Sequence, residues 1–217
     1  MSIVKIFRRT SGAVYRCHVP KLWNETIESH RRDVRDAVME TAASLVFEHG
    51  LRGVTMAQIA ERAGIGRATL YKYFSDVDAI LHAWHARQVD GHLRALREIH
   101  DGAGDPADRI TSVLRAYARI VQKTRSHDTD LVKFLHPDHQ VHDAQRDLHD
   151  MVAQLIAEAA GAGQLRADVD ASELASYCLH ALNAAATVTS NKALDRLVTV
   201  TVDGLRSSRR RVGLARK

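Results

Sequence analysis

The chain has 217 residues, of which 45% are hydrophobic and 5% aromatic, and its 31 basic and 26 acidic side chains give a formal charge of +5. The 12 glycines and 3 prolines exclude collagen-like and low-complexity chains, and the apolar content excludes a wholly disordered one. No stretch approaches the roughly 18 apolar residues of a spanning helix and no signal-peptide core opens the chain, so we expect a cytoplasmic protein without a membrane partner.

The charge is divided unevenly along the chain. Residues 1–75 carry 12 basic and 7 acidic side chains, residues 76–205 carry 13 and 19, and residues 206–217 carry 6 and none. A basic N-terminal third before an acidic stretch is typical of an anion-binding domain joined to a body that does not bind polyanions. We interpret residues 209–217 as a basic tail that is solubilising or binds nonspecifically.

Residues 1–30 show no clear hydrophobic period and are assigned to an N-terminal extension. They are a disordered tail, the product of an upstream start codon, or a basic arm that follows a DNA groove. From Arg31 to His49 apolar residues recur at three-to-four spacing, which predicts an amphipathic helix. Gly50 follows at the position of a C-cap glycine.

Two short helices around a glycine turn are predicted next. Thr55 and Gln58 form the capping-box pattern, in which the threonine hydroxyl accepts from a backbone N–H and the glutamine reaches back. This helix stops at Gly64-Ile65-Gly66, and a third helix runs from Arg67 to Phe74. The pattern is that of a helix-turn-helix.

The third predicted helix has two different faces. At about 100° per residue, Leu70 and Phe74 fall on one side together with Tyr73, whereas the other side holds smaller and polar residues. The first side can pack against a core, and the second can enter a groove of DNA. The outward residues are Ala68, Tyr71 and Lys72, with Arg67 on the leading turn and Thr69 on a flank.

The run from Val54 to Phe74, VTMAQIAERAGIGRATLYKYF, resembles the DNA-binding domain of the tetracycline-repressor (TetR) family. The resemblance extends over about residues 32–92, and farther on only residues 163–170 and the two apolar helices after them are similar. It implies an all-α fold with a three-helix DNA-binding domain at 31–92 and a helical ligand-binding and dimerisation domain at 93–208. It also implies double-stranded DNA, a second copy and an unknown small-molecule effector as partners. We expect no cofactor and no enzymatic activity.

Residue roles follow from the resemblance position by position. Arg67 and Ala68 stand where the family contacts base edges, and they suit a guanine and a thymine methyl respectively. Each residue could instead be an ordinary surface side chain, and Tyr73 could be partly buried. The residues implied in phosphate contacts are Thr55, Thr69, Tyr71 and Tyr73, while Lys72 fits either role.

Two positions depart from the family pattern. Val77 replaces a common lysine at the start of the fourth helix, and Gly66 replaces a hydroxyl N-cap at a cost of only a few tenths of a kcal/mol. The loss of both features is offset if Arg31, Arg32 and Arg35, near the start of the first helix, bind the DNA backbone. The alternative for these arginines is a solvated run of charge.

The rest of the chain has the pattern of amphipathic helices, near 76–100, 106–125, 130–135, 139–160, 171–189 and 192–208. The last two are the most apolar, and they either pair with a second copy as a four-helix bundle or form internal core. The apolar residues concerned are Tyr177, Leu179, Leu182, Ala186, Leu194, Leu197, Val198, Val202 and Leu205.

Seven larger or polar side chains are candidates for an effector pocket between these helices, although core packing is the alternative for most of them. They are Trp84, His85, Tyr117, Phe134, His149, Met151 and Tyr177.

The pattern of the 13 histidines suggests two alternative functions. His136, His139 and His142 repeat every three residues, which suggests a metal-responsive regulator, but they spread over about a third of the helix circumference and we assign no metal ligand. A remote alternative is a helical metal-dependent phosphohydrolase. It rests on four His-Asp dipeptides without a phosphate loop or HExxH motif, at positions 100–101, 127–128, 142–143 and 149–150.

Overall fold

The computed structural model describes residues 21–124 and 139–206, with side chains described from 26 to 124 and from 142 to 206. These ranges form eight α-helices and no strand, and none of their helices is long and apolar enough to cross a membrane. The predicted all-α fold is confirmed. The helices are α1 (Lys21–His49), α2 (Met56–Arg62), α3 (Arg67–Tyr73), α4 (Val77–His100), α5 (Pro106–Thr124), α6 (His139–Gly161), α7 (Ala171–Leu182) and α8 (Asn191–Asp203), with 3-10 turns at Leu51–Gly53 and Asn183–Thr187.

The first three helices and the start of α4 enclose one hydrophobic core, which we call the head core. Each large apolar side chain in it contributes roughly 1.5–3 kcal/mol of transfer free energy. Leu70 is fully buried and is the only residue of α3 that is, so one side chain fixes that short helix to the core. The head core includes Val38, Ala42, Leu45, Val46, Ile59, Leu70, Phe74, Ile80 and Leu81.

A second core, the body core, is formed by α5 to α8 and the later part of α4. It includes Ile110, Leu114, Leu155, Ile156, Leu182 and Leu194. The helix α4 serves both cores, because Ile80 and Leu81 lie in the head core whereas Leu93 and Leu96 lie in the body core. One continuous helix therefore joins the two parts.

The start of the first helix differs from the prediction. It begins at Lys21, ten residues before the expected Arg31, so part of the assigned N-terminal extension is helical. Among the side chains described, from residue 26 onward, Val38 is the first that is buried, and residues 26–33 are all exposed. These exposed turns have no buried face that would impose an apolar period, so the sequence does not predict them. The segment predicted at 130–135 and the basic tail at 209–217 lie outside the described residues.

The last two helices also differ. The helix expected over 171–189 ends at Leu182 and continues as the 3-10 turn, which packs on α5, and the last helix ends at Asp203 before Gly204. Of the two alternatives given for the apolar residues of these helices, internal core holds for five of them, because they are buried in the body core of one chain. Tyr177 is exposed, and Leu179, Ala186 and Leu197 are half-buried. The five core residues are Leu182, Leu194, Val198, Val202 and Leu205.

Candidate DNA-binding surface

The helix α2 opens with the predicted capping box. The Thr55 hydroxyl oxygen accepts from the Gln58 backbone N–H at 3.3 Å, and the Gln58 side-chain oxygen accepts from the Thr55 backbone N–H at 2.9 Å. The Thr55 hydroxyl also donates to that oxygen at 2.8 Å. A phosphate contact by Thr55, which stays a prediction, would therefore compete with a hydrogen bond already made.

The turn between α2 and α3 is built around Gly64. Its φ of +69° lies in the left-handed region that glycine adopts without strain. The Gly64 N–H donates to the Glu61 carbonyl at 3.1 Å and the Ile65 N–H donates to the Ala60 carbonyl at 3.0 Å, which is the Schellman arrangement. Ile65 then packs against the head core. The turn thus sets the direction in which the chain enters α3.

The helix α3 presents the two faces that the sequence predicts. Leu70 and the following Phe74 are buried and Tyr73 is half-buried against the head core. The outward face is exposed, with Tyr71 at 57% of its full accessibility. The predicted contact residues share this exposed position, while their contacts with DNA stay predictions: Arg67, Ala68, Thr69, Tyr71 and Lys72.

The arginines of α1 do not form a free basic cluster. Arg31 pairs with Glu28 at 3.0 Å, and the Arg35 guanidinium lies over the Phe74 ring, 4.8 Å from its centre. Arg32 is exposed. They lie well inside α1 instead of at its start, and residues 21–37 hold four basic and four acidic side chains. Backbone contacts by Arg31 and Arg32 therefore stay a prediction without support from local net charge.

An ion pair that the sequence does not predict joins α1 to α2. The Arg62 guanidinium donates to both carboxylate oxygens of Glu48, at 2.6 and 2.7 Å, and the Ser44 hydroxyl donates to one of them at 2.9 Å. The hydrogen bonds from Arg62 and then from Ser44 lower the pKa of Glu48. No local spacing signals this pair, because its members are 14 residues apart.

Two candidate effector residues lie on α4 beside the head core. Trp84 packs against that core, with its ring edge-on to Phe47 at a centroid distance of 5.9 Å. The Trp84 indole Nε1 is buried without a hydrogen-bond partner among the described residues. His85 is half-buried on the next position of the helix. Neither residue is part of the body core.

The other candidates are spread over the body. The Tyr117 hydroxyl donates to the Asn183 side-chain oxygen at 3.1 Å, and burial raises the pKa of Tyr117. His149 Nε2 lies 3.1 Å from the Ser172 carbonyl oxygen. Met151 is buried in the body core, whereas Tyr177 is exposed. Phe134 lies outside the described residues. The structure thus does not bring the six described candidates into one common cavity.

The histidines give no metal centre in the described part of the chain, where no three His, Cys, Asp or Glu side chains are grouped to hold an ion. His142 is exposed, and His136 and the His139 side chain lie outside what is described. Burial raises the pKa of Cys178 to about 12, so its thiol stays protonated at neutral pH. Nothing in the described residues favours the metal-responsive or phosphohydrolase alternatives.

Two family models match the chain. The model for "Bacterial regulatory proteins, tetR family" covers residues 38–84, and the model for "Transcriptional regulator SbtR-like, C-terminal domain" covers residues 105–207. The chain belongs to the TetR family of bacterial transcriptional regulators. The first match spans the head core and α3, and the second spans the body helices α5 to α8.

Individual proteins and solved structures are also similar to this TetR-family protein. The chain is 29% identical over 96 residues to the HTH-type transcriptional regulator Mb2274c of Mycobacterium bovis, covering 44% of this chain and 49% of that protein. The match thus spans about half of the relative's length. A TetR/AcrR regulator from Thermobifida fusca has a TM-score of 0.68 at 21% identity, covering 81% and 100% of the two chains. FadR from Bacillus subtilis, in complex with stearoyl-CoA, has a TM-score of 0.57 at 14% identity, covering 79% and 97%.

Proposed function

We propose that this TetR-family protein is a ligand-responsive, sequence-specific repressor that binds a palindromic operator as a homodimer and is released by a small molecule. The outward face of α3 carries the proposal, because it leaves its polar residues exposed while Leu70 anchors the helix from behind. Within the described residues neither Arg67 nor Lys72 forms an ion pair, so both cations are free to meet DNA. We assign residues 31–92 to DNA binding and 93–208 to effector binding and dimerisation.

Roles within α3 follow from the chemistry of its side chains. Arg67 is the residue proposed to read a guanine in the major groove, and the Ala68 methyl is proposed to lie against a thymine methyl. Thr69, Tyr71 and Tyr73 are assigned to phosphates, which fix the register of the helix without specifying sequence. Lys72 adds charge at the C-terminal end of the same face.

The dimer is proposed to form through the outward faces of α7 and α8. Tyr177 on α7 is 45% exposed and Val200 on α8 is 66% exposed, which makes them the large apolar side chains available to a second copy on these helices. The proposal requires that a twofold axis there holds the two α3 helices about one DNA turn, ~34 Å, apart. The twofold symmetry of such a dimer is matched by a palindromic operator.

The effector is proposed to bind in the body and to act through α4. This helix packs in both cores, so a displacement of the part that lies in the body core also moves the helices of the head core. The stearoyl-CoA complex of FadR is a precedent for a small molecule in the corresponding fold. Release follows if the displacement changes the separation of the two α3 helices.

Selection from random DNA tests the proposal. The full chain is mixed with duplexes that contain a randomised segment, bound duplexes are amplified, and the enriched sequences are inspected for a palindrome with half-sites about 10 base pairs apart. Enrichment of such a palindrome supports sequence-specific DNA binding and the dimer together. Enrichment of a single half-site would overturn the dimer, and the absence of any enriched sequence would overturn the proposed function.

A further inference from the structure

The ion pair between Glu48 and Arg62 is placed at the two ends of helices that support α3. Glu48 stands in the last turn of α1, and Arg62 is the last residue of α2. Both carboxylate oxygens face both terminal guanidinium nitrogens, which is the bidentate geometry that fixes direction as well as distance. A third donor, the Ser44 hydroxyl, holds the carboxylate from within α1.

The position of Glu48 is not explained by the stability of α1 itself. A carboxylate in the last helical turn faces the negative end of the helix dipole, which disfavours it. The cation Arg62, by contrast, is favourable at the end of α2. The three hydrogen bonds that Glu48 accepts offset this cost, and the two that come from Arg62 form the contact with α2.

The pair lies at the end of the short helix that leads into α3. The helix α2 has seven residues, of which Ile59 and Ala60 are buried, and α3 has seven residues, of which Leu70 is buried. Met56 of α2 is only partly buried against the head core. A bidentate contact at Arg62, just before the turn into α3, adds a directional restraint on the rotation of α2 to what this packing provides.

We propose that Glu48 and Arg62 are positioning residues for sequence-specific DNA binding, which set the orientation of α3 without touching DNA. The inference rests on the proposed function, since it concerns the same surface. A positioning role and a purely electrostatic role of Glu48 predict opposite effects on binding. Removing the negative charge of Glu48 should strengthen binding to any DNA if charge alone matters, and it should weaken binding to the preferred sequence if the pair positions α3.

The test compares Glu48→Gln, Arg62→Gln and the double variant, each as the full chain. The probes are the duplex that the wild-type chain selects from random DNA and a scrambled duplex of the same composition, titrated by fluorescence anisotropy at several salt concentrations. We expect Glu48→Gln to weaken binding to the selected duplex by about tenfold, while binding to the scrambled duplex is unchanged or tighter. The double variant should be no weaker than either single variant, because the two side chains act as one unit.

Two further variants sharpen the comparison. Arg62→Lys keeps the charge but cannot form the two-nitrogen fork, so it should lose the sequence preference as Arg62→Gln does. Asp147→Asn is the matched control, because Asp147 pairs with Arg97 in the body with side chains 52% and 51% exposed, close to the 41% and 48% of Glu48 and Arg62. This control should keep the wild-type preference. Thermal unfolding of every variant, followed by circular dichroism, ensures that all titrations are made on folded protein.

The outcomes are distinct. Tighter binding of Glu48→Gln to both duplexes, or an unchanged ratio between them, overturns the positioning role while leaving the proposed function in place. Uniform weakening by Arg62→Gln, with a salt slope reduced by about one, identifies Arg62 as a phosphate contact and also overturns it. A wild-type chain that selects no sequence overturns the proposed function and this inference with it.

Discussion

Arg87 on α4 forms an ion pair of 2.9 Å with Asp36 on α1, and its other terminal nitrogen contacts Glu40 one turn farther along α1. Arg87 lies between the residues of α4 that enter the head core and those that enter the body core. Its side chain is 32% exposed, less than the side chains of either partner. The contact thus ties the first helix to the middle of the helix that joins the two parts.

Replacement of this arginine, Arg87→Gln, should lower the free energy of unfolding by about 1 kcal/mol or less, as expected for partly exposed ion pairs. For a chain of this size that corresponds to a decrease in Tm of roughly 2–4 °C at most. Differential scanning calorimetry at low and high salt checks the cause, because screening should shrink the difference from wild type. A difference that does not change with salt would point instead to packing of the arginine stem. Arg146→Gln, which removes an exposed pair within α6, is the control and should change Tm less.

The two cations of α3 should affect DNA binding differently. Arg67→Ala should weaken binding to the selected duplex by about 1–3 kcal/mol and relax the preference at one base pair. Lys72→Ala, if that residue contacts a phosphate, should weaken binding to all sequences and reduce the salt slope by about one. Anisotropy titrations against single-base variants of the selected duplex distinguish the two. Equal losses on every duplex for Arg67→Ala would contradict its role in base reading.

The variant Val200→Asp tests the proposed dimer interface. A charge at this exposed position of α8 would be buried without a partner in an interface, whereas in a monomer it would be solvated. The variant should therefore sediment as a monomer and bind a half-site with reduced affinity, while its circular dichroism stays that of the wild type. Ile27→Asp is the control, because Ile27 is also exposed, at 42%, but lies on α1. A dimeric Val200→Asp variant would show that the interface lies elsewhere.

The sequence predicts the helices around the head core well, because each sequence signal for them is local. The capping box at Thr55, the glycine turn at Gly64 and the spacing of Leu70 and Phe74 operate within a few residues, and the structure confirms each of them. Signals of this kind depend on backbone geometry and on one buried face. They do not require knowledge of which helices meet.

The parts that the sequence misses depend on contacts between distant residues. Apolar side chains such as Leu194 and Val198 have the same helical period whether they face their own chain or a second copy, so the pattern cannot separate core from interface. The Glu48–Arg62 pair leaves no local pattern for the same reason. Residues 26–33 of α1 are all exposed and so have no buried face, and the effector candidates share only their residue type, which carries no information about a shared cavity.

The turn before α3 should be sensitive to the loss of one glycine. Gly64→Ala should destabilise the protein by about 1–2 kcal/mol, because the left-handed conformation disfavours a Cβ even though no atom lies within 4 Å of it. Gly91→Ala should have the opposite sign, a gain of up to about 1 kcal/mol, since Gly91 lies inside α4 and also has open space around it. Urea unfolding of the two variants checks both signs. A gain for Gly64→Ala would contradict the turn conformation.

The half-buried His92 on α4 should make stability depend on pH. Desolvation by burial, and then the nearby charge of Lys123, lower the pKa of His92 below its usual value of 6.5. As pH falls below 6.5 the unfolded chain takes up this proton before the folded chain does, so stability is greatest above that pH and is lost on acidification.

The variant His92→Gln should therefore show a smaller decrease in Tm between pH 7.5 and pH 5.5 than the wild type. The carboxylates with lowered pKa values, such as Asp76 and Asp105, exert their effect below about pH 4.5 and do not interfere in this window. His142→Gln, which replaces an exposed histidine in the body, is the control variant. If His92→Gln and the wild type lose the same Tm on acidification, another group carries the effect.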